Sequence, residues 1–312
     1  MNLSVAQLLT WYGTRRRSSV PRRTPADYGV RYQDVIFRSA HEDGVRLSGW
    51  IVPAADPRGA VILCHGHGGS RRGTLRTAVM LHRHHFTTLL FDFRACGRSE
   101  GACRTLGLNE TDDVLGAVRL LRSETSTRML PIAAIGQSVG GAAVIRAAAR
   151  TDEIRAVVAE AAFAQLEAVM RRRVRLCVGP FAGPVATTCS RLGAQKIGAD
   201  LRDIAPEDDV ARISPRPILL IQDSLDIVCP RSESNRLYAA AAYPKERWMV
   251  PRAPHTGAIK VAPREYERRV ADFLVRSIVA PAASAGGPRR DSVPPQNLRN
   301  DAARFDDWTL EE

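Results

Sequence analysis

From Tyr28 onward the chain alternates short unbroken apolar runs with longer stretches whose apolar residues recur every three or four positions. The runs fall at residues 60–63, 87–91, 132–135, 156–159, 218–221 and 248–250. The periodic stretches between and after them, at 75–84, 110–123, 142–149, 233–242 and 264–278, predict helices. Brief strands with no polar alternation, separated by helices, are the pattern of parallel strands covered on both faces. Two earlier segments, 35–39 and 45–51, read as a hairpin turned by His41-Glu42-Asp43-Gly44. The expected fold class is therefore α/β, a mostly parallel central sheet with helices on both faces, over residues 28–279.

Three stretches depart from this rhythm. Residues 163–212 are long and basic, carry Pro180 and Pro184, and read as a small helical insertion over one end of the sheet. Residues 280–312 have lost apolar periodicity and are expected to be a disordered tail. Residues 1–27 hold five Arg before Ala26 and no acid until Asp27, and read as a basic exposed arm with room for a short helix at 4–12. A frayed terminus is the plainer expectation for that arm. Leu8, Leu9 and Trp11 beside Arg15, Arg16 and Arg17 leave open a weak peripheral contact with a membrane. No run approaches the ~18 apolar residues of a membrane span.

Composition is that of a globular chain, 45% hydrophobic and 25% charged in 312 residues. The net charge of +12 raises the question of a polyanion partner, but the excess is nearly all Arg and is dispersed. No nucleic-acid module accompanies it, so no nucleic-acid partner is expected. The six cysteines form no CxxC pair, and no signal peptide is read at the start, where the Arg run follows the apolar residues. Reduced thiols in a cytoplasmic protein are the simplest account.

The chemistry concentrates in Ile135-Gly136-Gln137-Ser138-Val139-Gly140-Gly141-Ala142. An apolar strand runs into Gly-x-Ser-x-Gly and then into a small-residue helix start, the context of a nucleophile elbow. Residues 136 and 140 must be Gly because side chains there would collide around the turn. The helix start behind Ser138 favours developing negative charge.

A serine hydroxyl needs a base, and in this arrangement the acid and then the histidine follow the serine in the chain. Six of the seven histidines precede Ser138, which leaves His255, in a Pro- and Gly-marked loop after the last strand. Asp223 and Asp226 compete for the acid. Asp226, set against Ile227 and Val228, is favoured, with Asp223 as a turn-former and Glu160 a distant third. An oxyanion needs two donors: the main-chain N–H of Val139, and that of His67 in the Gly-rich loop His65-Gly66-His67-Gly68-Gly69. His65 and His67 have no third ligand at regular spacing, so neither a metal nor another cofactor is expected. The His82–His85 cluster reads as a polar helix end.

At these residues the chain resembles the alpha/beta-hydrolase superfamily, above all its bacterial serine aminopeptidase-like, monoacylglycerol-lipase-like and dienelactone-hydrolase-like branch. The likeness rests on the elbow, on Cys64-His65-Gly66-His67-Gly68-Gly69, and on Asp92-Phe93-Arg94-Ala95-Cys96-Gly97-Arg98-Ser99. The Asp226-x-x-x-Pro230 and His255-Thr256 segments complete it. It implies Ser138 as nucleophile, His255 as base, Asp226 as orienting acid, and 163–212 as a lid. It also implies that Asp92, Arg94 and Ser99 stabilise loops. Gln222-Asp223 stands where His-Gly is common, and Ala95 where Gly is common, changing loop shape near the pocket.

The expected activity is hydrolysis of a carboxylic ester, or a thioester or amide, through an acyl-enzyme on a small-molecule acyl substrate. Acyl transfer from the same intermediate and a non-catalytic binding role are the rivals. Phe163, Leu166, Val169, Met170 and Leu176 either line an acyl site or form the core of the lid helices, and periodicity favours core.

Overall fold

The structure, a computed structural model, describes residues 4–18 and 22–279, and of Phe181 the backbone alone. The tail expected at 280–312 lies outside the described residues. In chain order the elements are α1 (Val5–Thr14), β1 (Gln33–Arg38), β2 (Arg46–Val52), β3 (Gly59–Cys64), α2 (Leu75–Arg83) and β4 (Phe86–Phe91). There follow α3 (Glu110–Ser123), β5 (Ile132–Gln137), α4 (Val139–Ala148), β6 (Ile154–Glu160), α5 (Leu166–Val178), α6 (Ala182–Ile197) and α7 (Pro206–Asp209). β7 (Ile218–Asp223), α8 (Arg231–Ala240), β8 (Lys245–Val250), α9 (Ala258–Val261) and α10 (Pro263–Leu274) complete the series.

The strands form one eight-stranded sheet in the order β1-β2-β4-β3-β5-β6-β7-β8. β1 and β2 pair antiparallel, as does β2 with β4; every other pairing is parallel. The hairpin expected from the sequence is β1–β2, in register from Gln33↔Ile51 to Arg38↔Arg46. Every residue of β3, β4, β5 and β7 is buried, which is why these strands read as unbroken apolar runs. Two cores result. One joins the sheet to α3, α4 and α8 through Val114, Val118, Val144 and Leu237; the other joins it to α2 and α10 through Leu81, Val270 and Phe273.

The strand order reverses between β3 and β5, and the carboxyl ends of these neighbours are where such sheets place ligands. The lid segment lies between β6 and β7, with α5 and α6 as its main helices.

At the amino-terminal end of the described residues the structure corrects an expectation. Residues 4–18 are neither a free arm nor a frayed end. Ser4 and Gln7 close a reciprocal capping box, at 2.8 and 3.3 Å, that starts α1. Ala6 then packs with Val174 of α5 and with Ala182, Ala186 and Cys189 of α6. Beyond the helix, Arg17 N–H donates to Ala95 O and Gly97 N–H to Arg17 O, at 2.8 and 3.0 Å. Backbone bonds and small-residue packing supply what a frayed terminus lacks.

No helix among the described residues is long and apolar enough to cross a membrane.

Candidate active site

β5 ends at Gln137 and α4 begins at Val139, so Ser138 carries the whole reversal of direction, at φ 53° and ψ −118°. This is strained for a residue with a side chain, and it turns the hydroxyl off the sheet edge. The glycines allow it. A Cβ on Gly140 would sit 2.5 Å and 2.6 Å from the carbonyl oxygens of Cys64 and His65, and one on Gly136 would strike the backbone of Gly140. Ser138 N–H donates to Glu160 O at 2.8 Å, fastening the elbow to β6.

His255 arrives from the loop after β8. Ser138 Oγ stands 3.0 Å from His255 Nε2, and His255 Nδ1 lies 2.7 Å from Asp226 Oδ2. The Asp226 side chain is fully buried, and its other oxygen accepts the N–H groups of Val228 and Cys229, both at 2.8 Å. Held by three hydrogen bonds across both oxygens, the carboxylate fixes the ring's orientation and places the Nδ1 proton. The three residues singled out in the sequence are thus brought together in one relay.

Asp223 and Glu160 occupy different ground. Asp223 opens a turn, since Asp226 N–H donates to its carbonyl at 3.2 Å, but it is also the last residue of β7 and wholly buried. It thus forms the turn as expected, from a buried position at the end of the strand. Its Oδ2 accepts Gly257 N–H at 3.3 Å, while Glu160 accepts Ala258 N–H and Gln137 Nε2, both at 3.1 Å. Two buried carboxyls thus hold the His255 loop from behind. Burial first, and then the neighbouring Glu160 charge, push Asp223 up to about 8; burial likewise raises Glu160. Both carboxyls are thereby biased toward the neutral form, where two neighbouring buried charges would repel.

On the other side of Ser138 runs the Gly-rich loop. His65 is a buried clasp: its Nδ1–H meets Gly66 O at 2.8 Å and its Nε2 accepts Phe93 N–H at 3.1 Å. Both ring nitrogens are used, so His65 has none to offer a metal. His67 lines a cavity together with Ser138 and Val139. Val139 is the first residue of α4, where a helix N–H has no intrahelical acceptor. Burial, then Arg104, Arg173 and further cations, push the His67 ring down to about 3. It is neutral, and its Nε2 accepts from Arg104 Nη1 at 3.1 Å.

Asp226, Cys229 and His255 offer three donor atoms within 4.8 Å of one another. They do not fit a metal: the Asp226 oxygens are taken, and burial drives the Cys229 thiol up, against thiolate formation.

The cavity at Ser138 has a volume of about 230 Å³. Phe163, Leu166, Val169 and Met170 line it, so residues expected to be lid core serve the pocket wall as well; Leu176 is mostly exposed. Leu9, Tyr12 and Gly13 of α1 close another side, a contribution no local pattern announced. A second hollow, of about 490 Å³ between Arg122, Met129, Pro131, Thr151 and Arg155, touches no member of the relay.

The loop after β4 is braced as expected, with one addition. Ser99 Oγ donates to Asp92 O at 2.5 Å and Arg94 pairs with Asp113 at 2.8 Å. The partner of Asp92 is Arg71, wholly buried, at 3.0 Å. Arg71 has no motif of its own, and only the buried Asp92 hinted that a cation was needed.

Comparison with known proteins supports the fold that carries this site. The Hydrolase_4 family model, described as serine aminopeptidase S33, matches residues 55–205. YfhR of Escherichia coli strain K12 is 27% identical over 245 residues, covering 76% of this chain and 79% of that one. Rv2307c of Mycobacterium tuberculosis is 29% identical over 225 residues, 72% of each. Among solved structures, the esterase Pf2001 of Pyrococcus furiosus superposes with a TM-score of 0.71 at 28% identity, covering 85% of this chain and 98% of that one. The dienelactone hydrolase of Anabaena variabilis shares the fold, with a TM-score of 0.57 at 18% identity, 79% of this chain and 99% of that one. A strained serine at the switch point of this sheet, set beside those likenesses, has one home: the chain belongs to the alpha/beta-hydrolase superfamily, with an esterase-like fold.

Proposed function

We propose that this hydrolase is a serine esterase working through an acyl-enzyme. The observation that carries the reading is the relay itself, Ser138 to His255 at 3.0 Å and His255 to Asp226 at 2.7 Å, opening onto an apolar cavity. His255 Nε2 takes the Ser138 proton as Oγ attacks the ester carbonyl, and Asp226 stabilises the imidazolium without taking its proton. The main-chain N–H groups of Val139 and His67 receive the oxyanion. Collapse of the tetrahedral intermediate expels the alcohol, protonated by His255; a water deprotonated by the same ring then releases the acid and restores Ser138. An ester or thioester suits the cavity better than a peptide, because its mainly apolar wall offers a polypeptide backbone few hydrogen-bond partners.

The test is fluorophosphonate labelling together with hydrolysis of p-nitrophenyl esters of increasing chain length, for the wild type, Ser138→Ala and His255→Ala. Activity and labelling in the wild type, with labelling lost in Ser138→Ala and turnover lost in both variants, is the expected result. A folded wild type that neither labels nor turns over any ester would sink the reading.

The cytoplasm is the compartment we assign, on the six free cysteines, and cell fractionation would test it.

A further inference from the structure

The pocket wall carries charge in a place where an acyl site for neutral chains needs none. Arg173, on α5, lines the cavity with Met170 and Val174 of the same helix, yet it faces no carboxylate within salt-bridge range among the described residues. Glu167 of α5 is already engaged by Arg171 and Glu233 of α8 by Arg236. Asp226, the carboxylate of the relay, has both oxygens occupied. Arg104 strengthens the imbalance. It is buried without an ion pair, held by Tyr12 O at 2.6 Å, Arg15 O at 2.8 Å and the neutral His67 ring. Arg17 approaches the same loop, its Nη1 3.3 Å from where a Cβ on Gly68 would stand. Three guanidinium groups therefore gather around His67 and the cavity, Arg104 buried and within reach of the Glu110 charge, Arg17 and Arg173 exposed, and none of the three forms an ion pair among the described residues. A cation that lines an apolar cavity without a counter-ion is stabilised by an arriving anion.

We infer that the preferred ester of this pocket is an anion, carrying a carboxylate or similar group on a short apolar tether that Arg173 receives. The inference rests on the esterase reading and narrows its substrate class. Apolar walls take the tether, the guanidinium takes the charge, and the two together select against plain acyl esters.

The test uses three matched substrates: 4-nitrophenyl hexanoate, its acyl-side anion mono-4-nitrophenyl adipate, and its leaving-side anion 3-carboxy-4-nitrophenyl hexanoate. The wild type is expected to favour one anionic ester over the neutral one in kcat/KM by about five- to tenfold, a preference that shrinks with added salt. Which anion is favoured tells whether the charge belongs to the acid or to the alcohol. Arg173→Gln should erase the ratio and Arg173→Lys keep most of it, while Arg175→Gln, exposed on the same helix, should leave the ratio in place. Absence of any anionic preference, or its survival in Arg173→Gln, overturns the inference.

A binding measurement separates this from failure of the chemistry. Calorimetry on Ser138→Ala, which cannot turn over, should show mono-4-nitrophenyl adipate or 3-carboxy-4-nitrophenyl hexanoate binding about fivefold or more tightly than the hexanoate, an advantage lost in Ser138→Ala with Arg173→Gln. Equal binding of all three overturns the inference whatever the wild type hydrolyses. Missing fluorophosphonate labelling, by contrast, would count against the esterase reading alone.

Discussion

The floor of the site and its roof are built differently. In the floor, Ser138, Asp226, Asp223 and Glu160 are buried, and the carboxyl groups accept main-chain N–H bonds from the loops they position. The roof, made by α1, α5 and α6, is packed through small side chains such as Ala6, Ala182, Ala186 and Cys189. It leaves Val5, Leu8, Trp11 and Leu176 at least half exposed. The polar bonds that tie the roof down gather at and just beyond the end of α1, where Arg104 holds Tyr12 O and Arg15 O and donates its N–H to Thr14 O at 2.9 Å; farther on, Arg172 Nε donates to Ile227 O at 3.0 Å. Groups that move protons need sub-ångström placement, which dense packing and backbone acceptors provide. A selecting wall needs only shape and charge, and it can change without disturbing the floor.

The largest effects should therefore come from the floor. Ser138→Ala or His255→Ala is expected to lower ester turnover by about four orders of magnitude or more, with thermal stability nearly kept. Asp226→Asn should cost about 10²- to 10⁴-fold, because an amide favours the wrong His255 tautomer. A residual rate near one per cent in the serine variant would move the chemistry elsewhere. Next comes Gly140→Ala, whose Cβ would press on the Cys64 and His65 carbonyls. Backbone cannot yield as a side-chain end can, so a loss of about 3 kcal/mol in denaturant unfolding is expected.

Asp223 gives a smaller, pH-dependent effect. Its carboxyl titrates near 8 in the fold and near 3.9 when unfolded, so between those values the native state holds a proton that the unfolded state has released. Stability then falls as pH rises through this window, by at most about 1.4 kcal/mol per pH unit for one group. Asp223→Asn keeps an oxygen for Gly257 N–H and removes the titration. Glu160, Asp226 and the buried Tyr266 also face this site, so the informative quantity is the difference between variant and wild type. That difference should favour the variant increasingly from pH 5 to 8. A flat difference would mean that burial and the Glu160 charge do not raise the Asp223 carboxyl in the fold.

Much of the floor was legible in the sequence because its signals are local. A buried parallel strand must be a short apolar run, and an elbow of this strain must be flanked by Gly136 and Gly140. His255 followed from chain order and from its loop. The roof was harder to read, since what holds it is remote. The capping box of Ser4 and Gln7 is written locally, but whether α1 docks depends on Cys189 and Arg104, far along the chain. Periodicity put Leu166, Val169 and Met170 on one face of α5 without saying that a cavity lies beneath. Asp223 read correctly as a turn residue, but its burial as the last residue of β7 was not announced, because that is set by pairing with β8.

The smallest effect draws the contrast most sharply, because it is the same substitution made in the roof. Gly183, in the first turn of α6, is exposed, and a Cβ built there meets nothing within 4 Å. Its φ is not in the left-handed region, so alanine enters without strain and reduces the freedom of the unfolded chain. Gly183→Ala should raise stability by about 0.5–1 kcal/mol, with the triad's turnover of a short ester held within about twofold. Opposite signs for Gly→Ala at 140 and 183 would follow directly from backbone contact in one case and open space in the other. A destabilised Gly183→Ala would show instead that the roof is packed as tightly as the floor, and the separation of chemistry from selection would fall with it.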